Sequence, residues 1–314
     1  MVQKTDRLVT VFGGGGFLGR YVVQSLHRAG ARVRIAQRDP KRAYFLKPLG
    51  GLGQTQFVRA DVRDAGSARA AATGSDAVVN LVGILKGDFQ SIHVEGAHNV
   101  AAAAAATGAK ALVQVSSIGA DPDSESAYGR SKGLGEAAAR DAFAGATIVR
   151  PSILFGQEDR FINRFARMAQ FAPVLPVIRG GTRFQPVWVG DAGRAVAGAA
   201  LDAPRHGART YELGGPQILT MRELMAWVCE TTGRARALVE IPDPLARLIV
   251  RLTGWAPGAP MTWDQWLMLQ KDNVVSPGAK GLEAFGLPKT PLAIAEAWLA
   301  AYRRHGRFAA KSPY

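Results

Sequence analysis

Four consecutive glycines, Gly13 to Gly16, follow the apolar run Leu8-Val9-Thr10-Val11-Phe12 and lead into Phe17-Leu18-Gly19. Leu18, Val22 and Leu26 then recur at helical spacing. Strand, glycine turn and helix in that order leave few folds open. Glycine lacks a β-carbon, so backbone amides in such a turn can come close to a ligand, and the unpaired amides of the helix that follows attract negative charge. A unit of this kind opens the folds that hold the pyrophosphate of a dinucleotide. Two registers fit the run, GxGxxG from Gly14 and GxxGxxG from Gly13; a flexible glycine turn with no ligand is the plain alternative.

The segments that follow alternate. Residues 32–37, 56–60, 77–81, 111–116 and 147–150 read as strands, most of them separated by helical patterns. Such alternation predicts an α/β fold: a Rossmann-type doubly wound parallel sheet covered on both faces. Asn80-Leu81-Val82-Gly83 and Val115-Ser116-Ser117 fall at carboxyl ends of strands, where ligands of open parallel sheets bind. After Pro151 the pattern loosens, and Pro173, Pro176, Gly180, Gly181 and Pro186 mark loops. Helices are expected over 220–232, 244–255, 262–271 and 291–305. The expected division is a dinucleotide-binding domain over 1–155, with returning segments near 184–215, and a smaller, mostly helical C-terminal lobe with a basic tail over 156–314.

Composition narrows the partners. A single cysteine, Cys229, forbids an intrachain disulfide and argues against a thiolate metal cluster, which fits a reducing compartment, and no metal site is expected. The first strand begins at Leu8, so no signal peptide is expected, and no run of eighteen apolar residues predicts a membrane span. The alanine run 101–106 reads as a helix. Lys and Arg number 39 against 25 Asp and Glu, a formal net charge of +14, which favours an anionic partner. No nucleic-acid motif accompanies that charge and the arginines are dispersed, so no nucleic-acid partner is expected.

Tyr128-Gly129-Arg130-Ser131-Lys132 places tyrosine and lysine four apart, on one helix face. An ammonium beside a phenol favours the phenolate, and such a tyrosine can exchange a proton with a carbonyl or alcohol oxygen. Ser117, or Ser116, would hold that oxygen. An ordinary surface helix with a solvated lysine is the alternative.

With these motifs the chain resembles the short-chain dehydrogenase/reductase superfamily in its extended or atypical branch. The resemblance rests on GGGGFLG, Asp61-Val62, NLVG at Asn80, VSS at Val115 and YGRSK, and continues in VRPSILFG from Val149 and FQPVWVGD from Phe184. It implies a cofactor grip by Gly13, Gly16, Phe17, Leu18 and Gly19. Asp61 and Val62 would lie beside the adenine; Leu81, Val82, Gly83 and Ser116 would line the channel. Tyr128 and Lys132 would face the nicotinamide ribose, and Pro151, Ser152 and Ile153 would flank the nicotinamide. If the chain is active, Ser117, Tyr128 and Lys132 would be its catalytic residues. Cofactor choice turns on the end of the second strand, where an acid selects NAD and an arginine selects NADP. Arg38 comes first, with Lys41 and Arg42 near, which favours NADPH; Asp39 keeps NAD open.

LKPLGGLGQ from Leu46, FGQEDRFINRF from Phe155 and DNVV from Asp272 are similar to segments of the dehydrogenase-like accessory subunit of respiratory complex I. That narrower resemblance implies tight NADPH binding and support at the junction of the peripheral and membrane arms, among other complex I subunits, with no turnover. An NADP-dependent reductase or epimerase acting on a small carbonyl, alcohol or sugar nucleotide is the alternative, and a sensor of NADPH levels is a third reading. Two departures from active relatives bear on this choice: His93 stands where many have asparagine, and only eleven positions separate Ser117 from Tyr128. A relay or a bland surface or capping role are both open for His93. In the C-terminal lobe, Leu245 to Leu252 with Arg247, Arg251, Trp255, Trp263 and Trp266 suits either a membrane interface or the small lobe's core. The tail from Tyr302 adds Arg303, Arg304, Arg307 and Lys311. The expected location is peripheral, on the cytoplasmic face of a bacterial inner membrane, or the matrix face if organellar.

Overall fold

The structure, a computed structural model, describes residues 6–256, 259, 261–304 and 306. The chain opens with β1 (Leu8–Phe12), α1 (Phe17–Arg28), β2 (Arg32–Gln37), β3 (Thr55–Arg59), α2 (Ala65–Ala72) and β4 (Ala77–Asn80). Next come α3 (Gly96–Ala106), β5 (Ala111–Val115), α4 (Ala127–Ala142), β6 (Thr147–Pro151), β7 (Leu154–Phe155) and α5 (Ile162–Phe171). Then follow β8 (Val174–Ile178), β9 (Arg183–Phe184), β10 (Val187–Trp188), α6 (Val189–Leu201), α7 (Ala203–His206) and β11 (Thr210–Leu213). The last named elements are β12 (Leu219–Thr220), α8 (Met221–Thr231), β13 (Ala237–Ile241), α9 (Asp243–Thr253) and α10 (Trp263–Met268).

The chain divides into two compact units. The first comprises residues 1–151, 189–213 and 275–288. Its seven-stranded sheet has the order β3-β2-β1-β4-β5-β6-β11, with every pair parallel. The order reverses direction between β1 and β4, which opens a crevice at their carboxyl ends. The central strands are the most deeply buried: β4 and β5 are buried at every position, whereas β3 at the sheet edge has no fully buried residue. The alanines of α2 and α3 pack against Phe12, Val78 and Leu112, and their small side chains let these helices lie close to the sheet. α6 returns from the second unit's sequence to pack on α1, where a β-carbon on Gly193 would fall 2.9 Å from the Tyr21 backbone.

The second unit comprises residues 152–188, 214–274 and 289–314. Beside its helices it carries three two-stranded sheets, β7/β10, β9/β12 and β8/β13. Pro176, read as a loop marker, sits within β8 opposite Val239. A two-stranded sheet leaves each strand one edge without a ladder, and proline is tolerated there. α8 begins where expected, at a Thr220–Glu223 capping box. The helix expected over 291–305 is instead broken into Leu292–Ala295, Glu296–Leu299 and Ala300–Tyr302, the outer two being tight 3-10 turns. Three residues per turn bring Leu292 and Ala295 to the same buried side, next to Phe155 and Leu224. The helix expected over 262–271 stops at Met268, where Thr182 Oγ1 donates to the Leu269 carbonyl (2.7 Å). His305, Arg307 and Lys311 lie outside the described residues.

Candidate functional site

Gly13 takes a left-handed conformation (φ +78°), which turns the chain out of β1. A β-carbon there would be 3.4 Å from the Leu81 and Val82 backbone, so the glycine turn and the loop after β4 line the same crevice. Gly19 allows still closer packing: a β-carbon on it would stand 2.5 Å from the carbonyl oxygens of both Gly13 and Gly14. Gly16 caps α1 without a side chain, and the first turn of α1 holds no acid. The amides of Phe17, Leu18 and Gly19 therefore form a bare, positive helix end.

At the next strand end, Gln37 closes β2 and its Oε1 accepts the Gly15 amide (3.1 Å). Sequence reasoning passed over Gln37; its place as the last residue of β2 was the available signal. Arg38 follows, exposed, and its charge contributes to holding the Asp61 carboxyl below its usual range, an effect due mainly to the Arg63 side chain (2.6 Å). Asp39 is occupied otherwise. Its carboxylate accepts the Lys41 amide (3.2 Å) and pairs with Arg42 (3.3 Å), capping the turn over Pro40–Leu49. Val62 is buried, and the Val62 carbonyl accepts from Asn99 (2.9 Å).

Beyond β4 and β5 a second cluster forms. Lys132, on α4, is buried, and its Nζ donates to the Val115 carbonyl (2.9 Å), next to Ser116 and Ser117. Burial pulls the ammonium down to about 8, against an opposing pull from Glu136. The Ser116 and Ser117 hydroxyls are buried, with no hydrogen-bond partner among the described residues. A β-carbon on Gly83 would lie 3.6 Å from His93 Nε2 and 3.9 Å from Lys132 Nζ, so these three residues meet. The Tyr128 ring stands edge-on to Phe89 and His93, with centroids 6.1 and 5.6 Å apart.

His93 is neither on the surface nor a cap; it is buried. Its Nε2 accepts the Ile84 amide (2.9 Å), so the proton sits on Nδ1, which donates to Ser131 Oγ (2.8 Å); that hydroxyl in turn donates to the Tyr128 carbonyl (2.8 Å). Burial first, then the charge of Lys132, pushes its pKa to about 3. His93 is thus a neutral strut between the loop after β4 and the start of α4. Gly135 makes room for it, since a β-carbon there would come 2.1 Å from the His93 carbonyl.

Pro151 ends β6 in the first unit. Ser152 and Ile153 open the second, where Asn273 Oδ1 accepts from both the Ser152 hydroxyl (2.7 Å) and the Ile153 amide (3.1 Å). Asp272 pairs with Arg183 (2.7 Å).

The cradle at Gly13–Gly19 and the two orphaned serine hydroxyls fit a nicotinamide dinucleotide: the cradle admits phosphate oxygens where side chains would not fit, and the serines lack the partner that a ligand would supply. Lys132 gives a pH signature of its own. Its pKa is lowered on folding, so between about pH 8 and pH 10.5 the unfolded chain carries the extra proton. Stability should rise with pH across that window, by on the order of 3 kcal/mol from this group at ~1.4 kcal/mol per unit. Lys132→Met should flatten the rise in urea unfolding measured from pH 7.5 to 10.5; an unchanged slope would overturn the assignment.

The chain matches the model of the NAD dependent epimerase/dehydratase family over residues 9–214. It is 35% identical over 310 residues to NADH dehydrogenase (ubiquinone) 1 alpha subcomplex subunit 9, mitochondrial, of Rattus norvegicus, covering 95% of this chain and 80% of that protein. Ceramide reductase of Caulobacter vibrioides is 30% identical over 256 residues, covering 78% of this chain and 76% of that protein. Among solved structures, an NADPH-dependent quinone oxidoreductase of Escherichia coli complexed with NADPH shares the fold, with TM-score 0.76 at 22% identity over 93% of this chain and 99% of that one. The extent and identity of these matches place the chain in the NAD dependent epimerase/dehydratase family and, within it, with the alpha subcomplex subunit 9 proteins of complex I.

Proposed function

We propose that this chain is an accessory subunit of respiratory complex I that holds NADPH and supports the junction of the peripheral and membrane arms, with no turnover of its own. The observation that carries the reading is its 35% identity to the rat subunit over 95% of the chain. Gly13, Gly16, Phe17, Leu18 and Gly19 would hold the pyrophosphate. Asp61 and Val62 would border the adenine; Leu81, Val82, Gly83 and Ser116 would line the channel, and Tyr128 and Lys132 would face the nicotinamide ribose. Pro151, Ser152 and Ile153 complete the set. NADPH is preferred over NAD because Arg38 is exposed beside the cradle, while the Asp39 carboxylate is tied to Lys41 and Arg42. Membrane contact rests on α9. Leu245, Leu248, Ile249 and Leu252 are exposed on it, and Trp255 beyond is 77% exposed, which favours an interface over a core role for this stretch; Trp266, by contrast, is buried. Among the described residues no helix is long and apolar enough to cross a membrane. The proposed place is peripheral, on the cytoplasmic face of a bacterial inner membrane.

A second reading, an NADP-dependent reductase or epimerase, is favoured by Lys132 at the end of β5 next to Ser117, with Tyr128 one turn earlier on α4 against His93, and by the ceramide reductase match. A bound nicotinamide supplies hydride chemistry; Ser117 would orient a substrate oxygen, and Tyr128, with Lys132, would move its proton. One purification separates the two. From gently solubilised membranes, the tagged chain should recover other complex I subunits and release NADPH on denaturation. Recovery as a free protein with no respiratory subunits would overturn the first reading, and release of NADH or NAD would overturn the cofactor preference.

A further inference from the structure

A surface cavity of about 310 Å3 lies in the first unit around the start of β11, lined by Arg205, His206, Arg209, Tyr211, Lys280 and Glu283. β11 runs parallel to β1 and β4, so residues that precede it stand at the opposite end of the sheet from the glycine cradle. The floor is aromatic. His206, 4% exposed, stacks on Phe285 with centroids 4.4 Å apart, and its Nδ1 lies 2.8 Å from the Tyr211 hydroxyl. The Thr147 hydroxyl fixes the His206 carbonyl (2.9 Å). The rim is cationic: Arg205 ends α7, Arg209 enters β11, and Lys280 precedes the turn Leu282–Phe285.

Among the described residues, none of the three cationic side chains has an ion-pair or hydrogen-bond partner, and all three are exposed. The one acid at the rim, Glu283, has its carboxylate on the Gly281 amide. The chain between α7 and β11 passes through Ala208 at φ +56°, a conformation that non-glycine residues rarely adopt, held by the Ala208 amide on the Gly145 carbonyl (3.0 Å). Backbone strain of this sort concentrates at ligand sites. Arg205, Arg209 and Lys280 outnumber the one carboxylate of the lining, Glu283, and this cationic excess favours a multivalent anion. Guanidinium groups match phosphate oxygens in pairs, and the lysine adds a point charge.

We propose that this cavity binds a phosphate group, held by Arg205, Arg209 and Lys280 over the His206–Tyr211 floor and separate from the dinucleotide crevice. The shared chemistry covers a soluble phosphate ester and an anionic lipid headgroup. His206 is a built-in reporter. Burial lowers its pKa most, Asp202 raises it, and Arg205 and Arg209 lower it further; a bound anion should raise it.

The test follows the His206 imidazole resonance against pH in the full chain, with dinucleotide saturating so that the crevice is filled. The probes are inorganic phosphate and vesicles of phosphatidylcholine with or without phosphatidic acid. Added phosphate should move the His206 midpoint upward, and Arg209→Gln and Lys280→Gln should each weaken the effect roughly tenfold, as expected for a lost charge-assisted bond. Both side chains are exposed, so thermal unfolding of the variants should match the parent. A response to phosphatidic acid vesicles alone supports a lipid headgroup; a response to phosphate in solution supports a soluble ester. If neither probe moves His206, or if the Arg209→Gln/Lys280→Gln double variant responds as the parent does, the site does not exist.

Discussion

Arg150→Ala is expected to destabilise the first unit by about 3–5 kcal/mol, the usual cost of removing one partner of a buried ion pair. Arg150 lies at the end of β6 and grips Glu136 on α4 with two bonds, Nε to Oε1 (2.8 Å) and Nη2 to Oε2 (2.7 Å). Its Nη1 also reaches Glu212 on β11 (3.6 Å), whose other oxygen accepts the Ser276 amide (2.7 Å). Both carboxylates are buried, Glu136 with a side chain only 3% exposed. Arg140 approaches Glu136 to 3.9 Å but is itself largely exposed, so it replaces little of the lost partner. The consequence extends to Lys132, one helical turn from Glu136 and already under its attraction. Without Arg150, Glu136 should bind Lys132 more strongly and raise its pKa. Urea unfolding measures the first effect, and Arg150→Lys, which keeps the charge but loses the two-bond fit, should cost less than alanine. A loss below about 1 kcal/mol for alanine would show that the network contributes no more than a surface pair.

Gly19→Ala is expected to weaken dinucleotide binding roughly a hundredfold or more, about 2.7 kcal/mol, and to cost about 1–3 kcal/mol of stability. The added carbon would come 2.5 Å from two backbone carbonyls, those of Gly13 and Gly14, and neither can rotate away as a side chain would. The start of α1 must therefore move off the glycine turn, and the amide cradle moves with it. Gly181→Ala is the matched control, since a β-carbon there meets nothing within 4 Å. Binding is read by titrating NADPH fluorescence, with circular dichroism showing that each variant folds. Parent-like affinity in Gly19→Ala would show that the cradle does not hold the pyrophosphate.

These two positions differ in how far the sequence disclosed them. Gly19 was legible because strand, glycine turn and helix form a local unit whose geometry nearby residues dictate. Arg150 was not: the sequence places it at a strand end and in a resembling segment but says nothing of its partners, which lie 14 and 62 positions away on α4 and β11. His93 and Gln37 belong with Arg150. For His93 the sequence leaves a relay, a surface and a capping role all open; the fold buries it beneath Phe89 and sets its tautomer through Ile84 and Ser131. The reason is Gly135, which lets α4 come close enough to enclose the ring. Pro176 misled in the other direction, because its strand pairs with β13, which comes 63 positions later.

The amphipathic pattern of α9 shows the same boundary. Spacing marks one apolar face, but whether that face is covered depends on what packs there, and the fold leaves Leu245, Leu248, Ile249 and Leu252 exposed. Hydrophobic periodicity and turn chemistry act within a few residues, so the sequence alone determined the parallel α/β sheet, the glycine turn after β1 and the strand-end positions of Asn80 to Gly83 and Ser116 to Ser117. Burial, pKa and partnership come from residues far apart in the chain. Only the tertiary structure decided that Lys132 is desolvated beside Val115, that His93 is neutral, and that Arg205, Arg209 and Lys280 surround one cavity.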